Sequence, residues 1–439
     1  MSRVTCKFGG SSLADVACVR GVVDIIRADA GRRFVVPSAP GKRDAGDKKI
    51  TDLLYAWHSL ALGGLDPAEP RRIIEERFLE LARDLGVTFD IASHLAEIAG
   101  KAGMYEAPDY MASRGEYLNG RLIAEVLGAE FVDPADCIRF RATGELDPAS
   151  YDLLGARLQG DGLYVVPGFY GALPDGTIKT FSRGGSDVTG SIVARASKSD
   201  LYENWTDVSG FHMTDPRIVP SARRIEEVTY TELRELSYMG ATVLHEEAIF
   251  PLREPGIPIH IRNTKAPSEP GTMIVAEREA ARPVCGIAGR AGFTMINIEK
   301  TLMNREKGFG RRVLTLLEEM NISWEHLPTG IDTMSIILRD DELKGRGEEL
   351  LATLKKFLSP DVITLSPGLA MVATVGQGMN HHIGVAATLT AALAKAGVNI
   401  RVIDQGSSEM NIIVGVEEKD LAAAVRVIYE AFEAWEGRH

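Results

Sequence analysis

Apolar residues in the first two-thirds of the chain follow two alternating rhythms. Short unbroken runs predict strands at Arg3–Phe8 and Phe34–Val36, and around Leu163–Val166, Thr177–Phe181, Leu201–Asn204 and Pro258–Ile261. Between them, apolar side chains recur every three or four positions, as a helix with one buried face requires. That spacing predicts helices from Leu13 to Ala28, from Pro108 to Leu127, and through Ile50–Lys101 with breaks near Gly63-Gly64 and Gly86. Strand and helix alternating in this way imply an α/β fold with a mostly parallel sheet. Pro267–Gly271 is rich in proline and glycine and heralds a boundary near residue 280, which predicts a first domain of residues 1–280.

Beyond that boundary the pattern repeats itself. Gly308–Leu338 lies over Gly384–Val414 without a gap, matching Gly330 with Gly406 and Met334 with Met410. Each copy reads β-α-β-β-α, with glycine where a loop opens a helix and a hydrophobic strand pair after it. Two ferredoxin-like α+β domains are therefore expected, at 281–365 and 366–439.

Composition narrows the class without naming it. The chain has 439 residues, too many for one ordinary core, with 45% hydrophobic and 25% charged residues. Lys plus Arg number 49 against 61 acidic residues, a net charge of −12 with no basic run, so nucleic acid and membrane surfaces are poor partners. No apolar run is long enough to span a bilayer, and the N-terminus leads directly into a glycine loop, which predicts no leader and a cytoplasmic protein. Cys6, Cys18, Cys137 and Cys285 are scattered, without the spacing of a zinc site or a redox pair. His381-His382 is adjacent rather than at ligand spacing and reads as a solvated loop.

Four loops carry candidate chemistry. Lys7-Phe8-Gly9-Gly10-Ser11-Ser12 places a lysine at a strand end, then glycines, then hydroxyls opening a helix. Backbone N–H groups, a helix dipole and a lysine suit a phosphate, although the same segment without a ligand is simply a β-α turn. Ser182-Arg183-Gly184-Gly185-Ser186-Asp187 opens a second helix, with Ser186 expected at the N-cap and Arg183 able to grip a carboxylate bidentately. Asn204–Gly210, continuing through His212 to Arg217, sets Thr206 and Asp207 at a strand end and an arginine beyond, which suits a nucleotide or a plain surface loop equally. Ser113-Arg114-Gly115-Glu116 lies in a helix, its carboxylate facing either an amino group or water.

Taken together, KFGGSS at 7–12, SRGE at 113–116, SRGGSD at 182–187, WTDVSG with TDPR at 205–217, VLHEEAI at 243–249 and QGSSEMNI at 405–412 resemble the aspartate kinases over essentially the whole chain. These are enzymes of the amino-acid kinase (carbamate kinase-like) fold with tandem ACT domains. The resemblance implies transfer of the γ-phosphoryl group of ATP, with Mg2+, to the β-carboxylate of L-aspartate. It implies Lys7 and Asp187 as catalytic residues, with Lys7, Gly9, Gly10 and Ser11 on the phosphates. Ser38, Thr51, Glu116, Arg183 and Ser186 would hold aspartate, and Thr206, Asp207, His212 and Arg217 the nucleotide. It also implies a homodimer or larger assembly through the ACT domains. An end-product effector, lysine in preference to threonine, would sit at Met303, Gly308, Phe309, Ser323, Trp324 and Glu325 of the first repeat.

The sequence departs from the family in places. Ser11 stands where threonine is commoner, and Thr242 where a nucleotide-contacting lysine often precedes VLH. A polar stretch, Gly41–Lys49, separates Ser38 from Thr51. The rival readings are a kinase for glutamate, carbamate or a nucleoside monophosphate, which would lack the C-terminal repeat, and an inactive amino-acid sensor. A fused homoserine dehydrogenase is not expected, since the chain ends just after the second repeat.

Overall fold

The computed structural model describes residues 2–105, 107–182, 184–240, 244, 246–280 and 282–435. They form two units. The first comprises Met1–Phe211, Arg224–Tyr230 and Thr242–Arg278, and the second His212–Arg223, Thr231–Ala241 and Glu279–His439.

The strands of the first unit are β1 (Val4–Phe8), β2 (Arg32–Pro37), β3 (Glu130–Phe131), β4 (Tyr164–Val165), β5 (Tyr170–Ala172), β6 (Ile178–Thr180), β7 (Leu201–Thr206), β8 (Glu227–Thr229), β9 (Ile259–Asn263) and β10 (Thr272–Val275). Eight of them form one sheet in the order β3-β4-β2-β1-β7-β9-β10-β8, while β5 and β6 pair as a hairpin. From β3 to β9 every neighbour is parallel; β10 then runs antiparallel to β9. Its longer helices are α1 (Val16–Arg27), α2 (Ile50–Leu62), α3 (Ala68–Leu85), α4 (Ile91–Lys101), α5 (Asp109–Leu127), α6 (Ala149–Arg157) and α7 (Gly185–Ala196).

A parallel strand needs a long return crossing, and helices over both faces bury it, hence the unbroken apolar run of β1, whose five residues are all buried. On one face Val4, Cys6 and Phe8 pack against Val19, Val22 and Ile26 of α1, which Asp15 starts by accepting from the Cys18 N–H. The buried carboxylate of Glu203 ties three strands together there, accepting from Arg32 of β2 at 2.8 Å, Arg262 of β9 at 3.2 Å and Trp205 of its own β7 at 2.9 Å. Three donors offset much of the cost of taking that charge out of water.

In the second unit β11 (Gly286–Glu299), β12 (Thr333–Arg339), β13 (Val362–Val375), β14 (Val402–Asp404) and β15 (Asn411–Glu417) form a single antiparallel sheet, ordered β12-β11-β13-β15-β14. The helices are α8 (Tyr230–Tyr238), α9 (Phe309–Glu319), α10 (Gly347–Leu358), α11 (Val385–Lys395) and α12 (Leu421–Glu433). The repeats thus share one sheet, and β13 runs unbroken across residues 365 and 366. The strand expected at Ser323-Trp324-Glu325 is absent; only isolated bridges join His326 to Ile337 and Thr329 to Met334. Pro328 withdraws a donor from the ladder there, whereas the second copy has Asp404 at that position and forms β14.

One helix of this unit, α8, comes from the middle of the kinase-like stretch. Every third residue of it reaches a different part of the repeats. Glu232 accepts from the Gln377 N–H at 2.9 Å, Glu235 from the Asn411 amide at 2.6 Å, and Tyr238 donates to the Glu325 carboxylate.

Candidate active site

The chain leaves β1 toward β2 on one side and leaves β7 toward β9 on the other, so a crevice opens between β1 and β7 beyond their carboxyl ends. Such a switch point is where open parallel sheets bind ligands. Lys7 and Asn204 lie directly opposite each other across it. Both reach Asp187 in the first turn of α7, the Lys7 ammonium at 2.6 Å and the Asn204 amide at 2.8 Å from the same oxygen. Lys7 is 8% exposed, so its charge acts in a setting with little water to screen it. Gly9 continues past the strand end, its N–H bonded to the Trp205 carbonyl at 3.1 Å.

The loop after β2 closes the other side. The Gly41 N–H donates to the Gly10 carbonyl at 2.8 Å, and a Cβ on Gly41 would come within 2.6 Å of that oxygen, so the crossing of these loops requires glycine. The Ser38 carbonyl accepts from Asn119 of α5 at 2.6 Å, and Thr51 is the second residue of α2. Also on α5 is Glu116, buried, with one carboxylate oxygen lacking any partner among the described residues. Burial pushes its carboxyl up to about 7, against a smaller opposing pull from the Ala39 backbone N–H. The structure thus brings Glu116 to the loop after β2 rather than to water.

The expected cap of α7 is corrected. Gly184, not Ser186, is the N-cap, with φ of 76°, a left-handed conformation natural to glycine; Ser186 is the second helical residue. Arg183 lies outside the described residues, as does Thr242. Thr206 ends β7, its carbonyl accepting from the Thr264 hydroxyl at 3.1 Å, and exposed Asp207 follows it. His212 and Arg217 belong to the second unit, where Arg217 is exposed and ion-paired to Asp215 at 2.6 Å. Lys48, in the polar stretch between Ser38 and Thr51, sits at the surface 3.8 Å from Glu69.

Of the expected effector residues, Gly308 is the N-cap of α9, while Met303 and Phe309 are buried in the core of the first repeat. Trp324 is exposed. The Glu325 side chain is only 5% exposed, held by the Tyr238 hydroxyl and 3.9 Å from Arg339.

Sequence reasoning assigned no role to Asn204 or Asn119. A polar residue inside a strand buried at Tyr202–Trp205 was a usable signal for the first; for Asn119, one helical turn beyond Glu116, there was none.

Comparison with known proteins identifies the family. Residues 2–263 match the amino acid kinase family and residues 372–432 the ACT domain. Aspartokinase 3 of Bacillus subtilis is 40% identical over 98% of both chains. The crystal structure of Clostridium acetobutylicum aspartate kinase superposes with a TM-score of 0.91 at 47% identity, covering 98% of this chain and 100% of that one. Escherichia coli aspartokinase III, solved with aspartate and ADP, gives 0.77 at 28% identity over 98% and 100% of the two chains; with lysine and aspartate it gives 0.74 at 27% over 98% and 99%. With a catalytic unit built on a β1/β7 crevice and two repeats fused through one sheet, the chain belongs to the amino acid kinase family and, within it, to the aspartate kinases.

Proposed function

We propose that Lys7, Asp187 and Asn204 form the phosphoryl-transfer centre of this aspartate kinase, next to an aspartate pocket floored by Glu116. The observation that carries this reading is a lysine at the end of β1 and a buried, half-satisfied carboxylate on α5, each beside one of two loops that cross at Gly10 and Gly41. E. coli aspartokinase III, bound to aspartate and ADP, supports the substrate pair.

In the reaction an oxygen of the aspartate β-carboxylate attacks the γ-phosphorus in line, the bond to ADP breaks, and 4-phospho-L-aspartate leaves. A carboxylate is already ionised at neutral pH, so no general base is needed and the protein's part is positioning and charge compensation. Lys7 and the Gly9-Gly10-Ser11 loop offset phosphate charge, as does the N-terminus of α7. Ser38, Thr51, Arg183 and Ser186 join Glu116 on aspartate, and Thr206 and Asp207 serve the nucleotide. Magnesium would enter with the nucleotide substrate, whose phosphates are the oxygen ligands this ion ordinarily takes. ATP-dependent formation of aspartyl hydroxamate in hydroxylamine tests the assignment. Turnover of glutamate or a nucleoside monophosphate, with none of aspartate, would overturn it.

Regulation by lysine, in preference to threonine, is proposed at the first repeat, because Glu325 offers a carboxylate where the second repeat has Arg401. The complex of E. coli aspartokinase III with lysine supports this choice. Inhibition needs only that lysine bind the less active state better. Glu325→Ala is expected to raise the lysine concentration for half-inhibition at least tenfold, with uninhibited kcat within about twofold; equal sensitivity in variant and parent would remove Glu325 from the pocket. Strands β12 and β14 are the sheet's two edges, and pairing of ACT sheets between protomers would cover them. Sedimentation at micromolar concentration should therefore show a dimer or larger, and a 47.6 kDa species alone would refute it. A cytoplasmic site of action is proposed from the scattered positions of Cys6, Cys18, Cys137 and Cys285 in the sequence, and cell fractionation checks it. No helix among the described residues is long and apolar enough to cross a membrane.

A further inference from the structure

Arg77 lies on α3, away from every motif described above, yet it is only 4% exposed. A buried guanidinium is costly unless its donors are matched, and here the matches come from two chain segments outside its own helix. Nη1 meets the Asp47 carboxylate at 2.5 Å, while Nη2 donates to the Ala14 carbonyl at 2.6 Å and to the Gly41 carbonyl at 2.8 Å. Ala14 closes the short turn Gly10–Leu13 that follows the phosphate loop. Gly41 and Asp47 belong to the polar stretch between Ser38 and Thr51, and Gly41 is the residue whose N–H binds the Gly10 carbonyl.

We propose that Arg77 is a positioning residue for the kinase reaction, clamping the phosphate loop and the aspartate loop in fixed register. Three features support a clamp over simple core filling. The acceptors are backbone carbonyls of the two loops themselves rather than of the helix that carries Arg77. The fork of a guanidinium spans two carbonyls and a carboxylate at once, which a lysine cannot reproduce. The far end of the polar stretch is fixed as well. Although burial works against it, hydrogen bonds from Arg43 and Arg77 hold the Asp47 carboxyl well below the usual carboxylate range, so the pair stays charged wherever the enzyme works. The register matters because the Ala39 N–H bonded to Glu116 lies on the same loop, two residues before Gly41.

The inference rests on the assignment of Glu116 and Ser38 to aspartate, and the experiment separates the two. Arg77→Lys keeps the charge and loses the fork. It is expected to lower kcat/KM for aspartate at least tenfold, with most of the change in KM, in a chain whose circular dichroism matches the parent. Asp47→Asn, which keeps shape and loses only charge, should move KM the same way by a smaller factor. Arg43→Ala removes an exposed partner of the same carboxylate and should stay within twofold. Arg77→Lys and Asp47→Asn both keeping the parental aspartate KM would overturn the clamp, as would losses explained wholly by the unfolded fraction. Should Glu116→Gln leave aspartate KM unchanged, the site assignment fails instead.

Discussion

Replacing Lys7 by alanine is expected to lower kcat by about two to three orders of magnitude, with aspartate KM changing only a few-fold. The ammonium sits 2.6 Å from Asp187 at the head of the β1/β7 crevice, where phosphate charge must be compensated. Charge moves toward the bridging and leaving oxygens in the transition state, so a fixed cation there contributes more to the transition state than to the bound substrate. Removing such a contact costs about 3–4 kcal/mol of barrier in comparable sites, which is the stated loss in rate. The variant also leaves the Asp187 carboxylate without its ion pair but still bonded to Asn204, so part of the loss will come from Asp187 turning. Lys7→Ala with Asp187→Asn should therefore cost less than the two single losses multiplied, because the pair works as a unit. Steady-state kinetics with a coupled ADP assay decide it. A Lys7→Ala enzyme with near-parental kcat would place the phosphates elsewhere.

Aspartate binding should tighten as pH rises through neutrality, and Glu116 should be the cause. Burial pushes its carboxyl up to about 7 from an ordinary value of 4.5, so below pH 7 the pocket floor is largely neutral. The substrate ammonium is attracted to the ionised form only, so the apparent KM for aspartate should fall with rising pH until Glu116 is fully charged. Glu116→Gln should bind aspartate at least tenfold more weakly and lose that trend. Stability should move the opposite way. The carboxyl is raised in the folded chain, so the unfolded chain loses its proton first, from pH 4.5, while the folded one keeps it to about 7. Stability therefore drops as pH rises across that window and levels off above it. The total is on the order of 3 kcal/mol for this one group. Glu116→Gln should remove the slope. Aspartate KM that is flat across neutrality in the parent enzyme would show that Glu116 does not meet the ammonium.

Much of this was legible because it is local. Lys7-Phe8-Gly9-Gly10 advertises a strand end and a close backbone approach within a few residues, and the gaps between α2, α3 and α4 fall at the expected glycines. What escaped depends on partners distant in sequence. Asn204 stands out only because it lies opposite Lys7, and Arg77 only because it donates to carbonyls on distant segments. β3, β5, β8 and β10 have too few residues to show an alternation, so periodicity alone passes over them. The misplaced cap of α7 has a physical origin too: serine is the better cap by propensity, but the left-handed turn selects glycine two residues earlier. At Glu325 the sequence offered a carboxylate but not Tyr238, which fills its hydrogen-bonding position from α8.

The borrowing of α8 and of His212–Arg223 by the second unit sets a timetable for the nascent chain. These segments leave the ribosome with the catalytic stretch, yet their partners are still untranslated. The Met213 carbonyl waits for Ile287, Glu235 for Asn411, and the Arg223 N–H for the Tyr429 hydroxyl, 206 residues later. At translation speeds of about 5–20 residues per second, that last pairing is delayed by roughly 10–40 s. Through that interval the catalytic sheet has its strands in hand while two of its excursions stay unpaired. Chaperone capture or proteolytic nicking during synthesis should accordingly concentrate at 212–223 and 231–241, and a ribosome stalled short of residue 429 should present them longest.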